Sequence, residues 1–201
     1  MITSLVILIS IIAGVILWDK LPEQIPMHWN GAGEVDGWSS KPFAVFAMPL
    51  ILLALHWLCL CITLNDPKNE KRSGKMINLV FWMIPLLSIM LSVLTYCTAM
   101  GKDMQVGAIV YVSLGALFVF IGNYLPKCHQ NYTIGIKIPW TLHSEENWNK
   151  THRLAGWLWV FGGIAIIIAG FIGIWQIVLA VALIMAIVPI IYSYILHRKG
   201  V

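Results

Sequence analysis

The sequence predicts an all-α fold, a polytopic bundle of membrane-spanning helices, and three observations carry that prediction. Of the 201 residues, 59% are hydrophobic and 11% charged, with a mean hydropathy of +0.82; a soluble domain carries about 25% charged residues. The apolar residues gather into six runs, at about 2–18, 43–64, 77–100, 106–122, 153–174 and 176–196, each near the ~20 residues that cross a hydrocarbon core. No run carries an acid or a base in its middle except His56. In lipid an open strand would leave backbone groups unpaired, so each run is read as a helix. No blocks of alternating polarity suggest a β-barrel.

The first run, MITSLVILISIIAGVILWDK, has the greasiness of a secretory leader but no basic start and no A-x-A-like cleavage site. It is read as a retained span. The second is expected to begin near Pro42, with Ser39 or Ser40 as its cap. Pro49, Pro85 and Pro189 lie inside spans and are expected to kink them. In the fifth, Ala165, Ala169 and Gly173 recur every four residues, a stripe that would let another helix approach closely.

Charge bias orients the six spans. Ten basic residues (Lys68, Lys71, Arg72, Lys75, Lys127, Lys137, Lys150, Arg153, Arg198 and Lys199) fall on one side and three (Lys20, Lys41, Lys102) on the other. The rule that positive loops stay inside puts both termini in the cytoplasm. Trp18, Tyr124, Trp157 and Trp175 sit near the expected boundaries, as an interfacial belt would. Two units are expected, a two-span unit over 1–64 and a four-span unit over 65–201.

Two polar stretches interrupt the apolar chain. The outer one, LPEQIPMHWNGAGEVDGWSSK, runs from Leu21 to Lys41. Its two prolines make Leu21 to Met27 a stiff extended piece. Asn30-Gly31 and Asp36-Gly37 read as turns, and Gly31, Gly33 and Gly37 permit positive φ. Such a loop has a fixed shape, suited to packing the bundle or to recognition. The inner stretch, GNYLPKCHQNYTIGIKIPWTLHSEENWNKTHRLAGW, runs from Gly122 to Trp157. Tyr132 to Ile138 is expected to be extended with a bend at Gly135. Ser144 followed by Glu145 and Glu146 is a helix start, with acids at the positive end of the dipole. That helix should run straight into the fifth span, with Glu145, Trp148, His152, Ala155 and Trp159 on one face.

The composition also excludes. A net charge of +4 without a basic run gives nucleic-acid binding no support. Cys59, Cys61, Cys97 and Cys128 form no disulfide framework and no zinc spacing. His28 with Glu34 and Asp36, or Cys128 with His129, His143 and His152, matches no metal pattern. No cofactor or metal is expected. The uncharged spans and the lack of paired broken helices disfavour a small-solute transporter. No P-loop, nucleophile elbow or H-E-x-x-H is present, so the chain is read as no enzyme. A membrane enzyme or metalloprotein built on Glu145, His143 and His152 stays open as the alternative.

The two stretches carry a resemblance. IPMHWNGAGEVDGWSSK is similar to the extracellular motif of the DUF1648-type domain, and GNYLPK followed by NYTIGIKIPWTLHSEENWNKTHRLAG resembles the signature of the SdpI immunity-protein family. With six spans, the likeness covers nearly the whole chain. It implies a multi-pass protein of the bacterial cytoplasmic membrane that gives immunity against a secreted antimicrobial peptide toxin. It also implies signalling, by drawing a cytoplasmic transcriptional repressor to the bilayer. The implied contact residues are His28, Trp29, Asn30, Gly33, Asp36 and Lys41 outside. Inside they are Asn123, Asn131, Gly135, Lys137, Pro139, Trp140, Trp148, Thr151, His152 and Arg153. Lys137 stands where many members carry arginine, which keeps the charge but loses the planar fork.

Overall fold

A backbone kept from water must bond to itself, and this chain does so almost entirely through helices. The computed structural model describes residues 2–67 and 74–201, with side chains for 2–67 and 77–201. The elements are α1 (Ile2–Ile16), β1 (Gln24–Trp29), β2 (Val35–Ser40), α2 (Met48–Leu64), α3 (Gly74–Ala99), α4 (Val106–Tyr124), α5 (Pro139–His143), α6 (Glu145–Ile172) and α7 (Trp175–Arg198). A π-turn, Phe43–Ala47, leads into α2. Among the described residues five helices are long and apolar enough to cross a membrane: Phe43–Leu64, Ile77–Ala99, Val106–Lys127, Glu145–Ile172 and Trp175–Arg198. The chain is a helical membrane protein. The expected first span is shorter than its apolar run. α1 has 15 residues, about 22 Å at ~1.5 Å per residue, against a hydrocarbon core of ~30 Å. A 3₁₀ turn, Trp18–Lys20, follows, and Leu21, restricted by Pro22, is extended at φ −86°, ψ 135° and ends it. Lys68, Lys71 and Arg72 lie outside the described residues, as does the side chain of Lys75.

Contacts group the chain into two compact units, Met1–Ile62 with Ile77–Val106, and Thr63–Met76 with Gly107–Val201. The expected division at 64/65 follows chain order; this grouping follows packing and places α3 with the first helices. In the first unit, Ile7, Leu52 and Ile84 form one buried cluster, and Leu21, Ile25, Ala44, Val45 and Tyr96 form another beside β1. Between them the helices are joined by uncharged polar pairs. The hydroxyls of Ser10 and Ser88 are 3.2 Å apart, Tyr96 Oη donates to the Ser10 carbonyl at 3.1 Å, and Thr3 Oγ1 lies 3.0 Å from His56 Nε2. Interhelical hydrogen bonds of this kind contribute about 0.6–2 kcal/mol each in a membrane.

The second unit is built on close backbone approach. A Cβ on Gly115 would lie 2.5 Å from the Gly163 carbonyl, and one on Gly122 would lie 2.8 Å from that of Gly156. α4 and α6 therefore meet main chain to main chain, and the working small residues recur every seven positions, at Gly156, Gly163 and Gly170. The stripe Ala165–Ala169–Gly173 does not form this seam. Ala169 packs with Ile166, Val178 and Met185 instead, and Gly173 ends α6 in a left-handed cap at φ 80°. The drift of a 3.6-residue helix explains the difference, since only one set of spacings stays on the face toward α4.

Proline 189 shows how a break in lipid is repaired. It has no N–H for the carbonyl four residues earlier, that of Met185. Trp159 Nε1 on α6 donates to that carbonyl at 3.1 Å. The indole thus closes a gap that hydrocarbon could not.

Gly163→Leu should overpack the α4–α6 seam, at a cost of about 1–3 kcal/mol or more. The expected outcome is a lower thermal transition of the detergent-solubilised protein, read by fluorescence-detected size exclusion. Ile164→Leu, on the exposed side of α6, should melt as the parent does.

Candidate functional site

In the first unit the outer stretch is a β-hairpin. β1 and β2 pair antiparallel, Gln24 with Ser40 through Trp29 with Val35, and the register slips on both sides of His28. Asn30 builds the turn. Its main chain bonds Glu34 and Gly33, and its Oδ1 accepts from the N–H groups of Ala32 and Glu34 at 2.9 and 3.1 Å. Its Nδ2 donates to Glu34 Oε2 at 3.0 Å. Gly33 takes φ 85°, which a side chain would resist. Asp36-Gly37 is not a turn but part of β2, and Ser39 and Ser40 pair in the sheet rather than cap a helix. The extended backbone continues because VDGWSS has a strand partner in β1. His28 Nδ1 and Asp36 Oδ1 stand 2.5 Å apart, and both side chains are exposed, at 73% and 44%. Lys41 is different. It is buried, bonds Glu23 at 2.9 Å and the Trp18 carbonyl at 3.4 Å, and lies over the Trp18 ring. It clamps the hairpin base to the end of α1.

In the second unit, residues 128–138 are neither strand nor helix. Side chains hold this cap. Buried Asn131 donates through Nδ2 to the carbonyls of His129 and Ile134 at 2.8 and 2.9 Å. Its Oδ1 accepts from the N–H groups of Thr133 and Ile134 at 2.9 and 2.6 Å. Asp66, just after α2, accepts from Tyr132 N–H at 2.9 Å and Thr133 Oγ1 at 2.6 Å. No strand forms from Tyr132 to Ile138, since these side chains satisfy the backbone that a sheet would have; Ile138 at its end is extended, at φ −118° and ψ 159°. The expected bend does form: Gly135 has φ 122°. A Cβ there would sit 2.5 Å from His152 Nε2 and 3.0 Å from the Trp148 ring.

Those two rings lie under Gly135, stacked with centroids 3.9 Å apart. Trp148 Nε1 donates to the Cys128 carbonyl at 2.7 Å. His152 Nδ1 donates to the Trp148 carbonyl at 2.8 Å, while its Nε2 accepts from Ile136 N–H at 2.9 Å. A ring nitrogen that accepts carries no proton, so these two bonds require neutral imidazole with the proton on Nδ1. Neither nitrogen is left for a metal or a proton transfer. Among the described residues no three His, Cys, Asp or Glu side chains gather to hold a metal ion. Burial pushes the Cys128 thiol up, against the smaller opposite effect of its bond from Asn131. Ser144 caps α6, accepting from Asn147 N–H at 3.1 Å.

Residues 127–193 match the sequence profile described as the SdpI/YfhL protein family, and residues 5–53 match a domain of unknown function, DUF1648. The immunity protein SdpI of Bacillus subtilis (strain 168) is 25% identical, over 98% of this chain and 95% of that protein. Over residues 127–193 the chain is thus similar to the SdpI/YfhL family. No solved structure matches it. With its long apolar helices, the protein is a multi-pass protein of the bacterial cytoplasmic membrane.

The residues singled out from the sequence fall into three kinds. His28 and Asp36 are exposed together on the hairpin, Asn30 and Gly33 form its turn, Trp29 is half-buried and Lys41 is its clamp. Asn131, Gly135, Trp148 and His152 interlock in the cap. Thr151 is also buried, bonded through Oγ1 to Asn147 Oδ1 at 3.1 Å. The remainder face outward or flank the cap: Asn123, Lys137 and Arg153 are exposed, and Pro139 opens α5. Trp140 on α5 packs against Tyr194 and His197 of α7. On the α6 face, Trp148, His152 and Ala155 are buried while Glu145 is exposed.

Sequence reasoning passed over Asn147, Ser193, Thr141 and Asp66. Asn147 is fully buried and donates to the carbonyls of Ser193 and Val201 at 3.0 and 3.2 Å, while Ser193 Oγ donates to its Oδ1 at 2.6 Å. Thr141 Oγ1 accepts from Ile138 N–H at 3.1 Å. The available signal was a polar residue one position before the tryptophan face of α6.

Asn131→Ala leaves several buried backbone groups unpaired, at about 1–3 kcal/mol each, and Gly135→Ala adds strain. Trypsin should then cut at exposed Lys137 at least about tenfold faster, since about 1.4 kcal/mol is a factor of ten. In a variant with Cys128 as its one cysteine, maleimide labelling should be slow at pH 7.5. It should still be climbing above pH 9, because the raised thiol releases its proton later than an exposed one.

Proposed function

We propose that this protein protects a bacterium against a secreted antimicrobial peptide toxin from within the cytoplasmic membrane. The observation that carries the reading is the likeness to the Bacillus subtilis immunity protein SdpI along 98% of the chain. Charge bias, ten cationic side chains against three, supports six spans with both termini inside and the hairpin outside. On that reading the hairpin meets the toxin with His28, Trp29, Asn30, Gly33 and Asp36, held in place by buried Lys41. The cap, with Asn123, Lys137, Trp140 and Arg153 on or near its surface, docks a cytoplasmic transcriptional repressor. The internal pairing of Asn131, Trp148, Thr151 and His152 favours this over an enzyme, because it occupies the groups that catalysis would need free. The 1–64 segment then serves detection and the 65–201 segment serves partner docking.

A toxin-sensitive bacterium expressing the chain should survive challenge with the toxin and keep a polarised membrane, read with a potential-sensitive dye. Depolarisation despite confirmed membrane expression would remove the immunity reading. His28→Ala with Asp36→Ala should abolish protection while the protein still reaches the membrane. Unchanged protection in that variant would remove the hairpin as the contact.

A further inference from the structure

We propose that the outer edge of β2 receives an extended segment of a cationic peptide as a third strand, an assignment that rests on the peptide-toxin reading and names the edge that meets the toxin. The sheet has two strands, so each keeps one edge without a neighbour. The two edges are not equal. Lys41 N–H donates to the Glu23 carbonyl at 3.0 Å, and Gln24, Ile25 and Pro26 lie opposite Ser40, Ser39 and Trp38. In an antiparallel ladder, residues that bond the partner strand alternate with residues that face away. Ser39 therefore bonds toward β1, while the N–H and C=O groups of Trp38 and Ser40 point outward. Pro26, opposite Trp38, obeys the same alternation, since it has no N–H to give and its nitrogen turns to the outer side of β1. That proline blunts the β1 edge, and Ile25 and Pro26 are buried besides. No proline interrupts β2, and Trp38 and Ser40 are exposed.

The β2 edge is thus a comb of two donors and two acceptors, repeated roughly 7 Å apart at ~3.4 Å per residue. Among the described residues no main-chain group outside the hairpin bonds them. Another main chain in extended form supplies the matching groups at the same repeat; a lipid does not. The side chains beside the comb set the charge of the occupant. Asp36 and Trp38 are exposed along β2, at 44% and 58%, and a carboxylate and an indole face both attract a cation. His28 occupies one carboxylate oxygen, Oδ1, and Oδ2 remains. Lys41, the cation that follows β2, is spent on Glu23. A lysine or arginine of the incoming strand therefore settles beside Trp38. A third strand also steadies a ribbon that two strands alone hold only marginally.

The test uses the full-length protein in phosphatidylcholine nanodiscs and a fluorescein-labelled pentapeptide amide, Val-Thr-Lys-Thr-Val, read by anisotropy. Saturable binding is expected. N-methylation of the two threonines and N-methylation of the other three residues should differ by about tenfold in affinity, because only one alternate set of N–H groups faces β2. Norleucine in place of the lysine should weaken binding. Ser40→Pro, which removes one outward donor and no bond to β1, should weaken it about fivefold with an unchanged thermal transition. No binding of the unmodified peptide overturns the proposal, and so does equal binding of the two methylated peptides. An edge filled by a second copy, seen as two chains per disc that Ser40→Pro separates, overturns it too. Peptide binding without toxin protection would leave the edge standing and remove the toxin reading; protection without peptide binding would do the reverse.

Discussion

Polar groups beyond the reach of water must find partners inside the chain, and the rest of this structure depends on how that is done. Helix satisfies most of the backbone. What remains is handled by single side chains: Trp159 meets the Met185 carbonyl that Pro189 leaves open, Asn147 ties α6 to α7, and Asn131 bonds a turn that has no regular structure. None of these side chains is charged. Amides, hydroxyls and indoles make the bonds without the desolvation cost of an ion.

The same economy of space governs packing. Between membrane helices there is no hydrophobic drive, because lipid is as apolar as leucine. Close approach must supply the attraction, and glycine permits it. The α4–α6 seam uses Gly115 and Gly122 against Gly163 and Gly156. Large side chains are sent outward, as Phe171, at 75% exposed, illustrates.

The two polar assemblies differ in kind, and that bears on function. The hairpin exposes His28 and Asp36 on its two strands, which a turn built by Asn30 joins. The cap turns its conspicuous residues inward. His152 is the clearest case, since a histidine beside a tryptophan in a polar segment invites a chemical role. Its two ring nitrogens instead meet a carbonyl and an N–H, which makes it a neutral strut beneath Gly135. The buried residues keep the surface of the cap in shape.

The sequence by itself determined the helical class, the long apolar helices, the start of α6 at Ser144 and the bend at Gly135. Each of these depends on local composition or on one residue's backbone preference. It also singled out Asn131, Trp148 and His152, because unusual polar and aromatic residues stand out in an apolar chain. Only the tertiary structure decided their roles. Strand pairing turned Asp36-Gly37 and the two serines into β2, since a hairpin needs both strands before either is stable. The glycine seam took a seven-residue spacing over the four-residue stripe, because the face that meets α4 depends on the partner helix. Asp66 acquired its place from Tyr132 and Thr133, far along the chain, a pairing that no local pattern encodes.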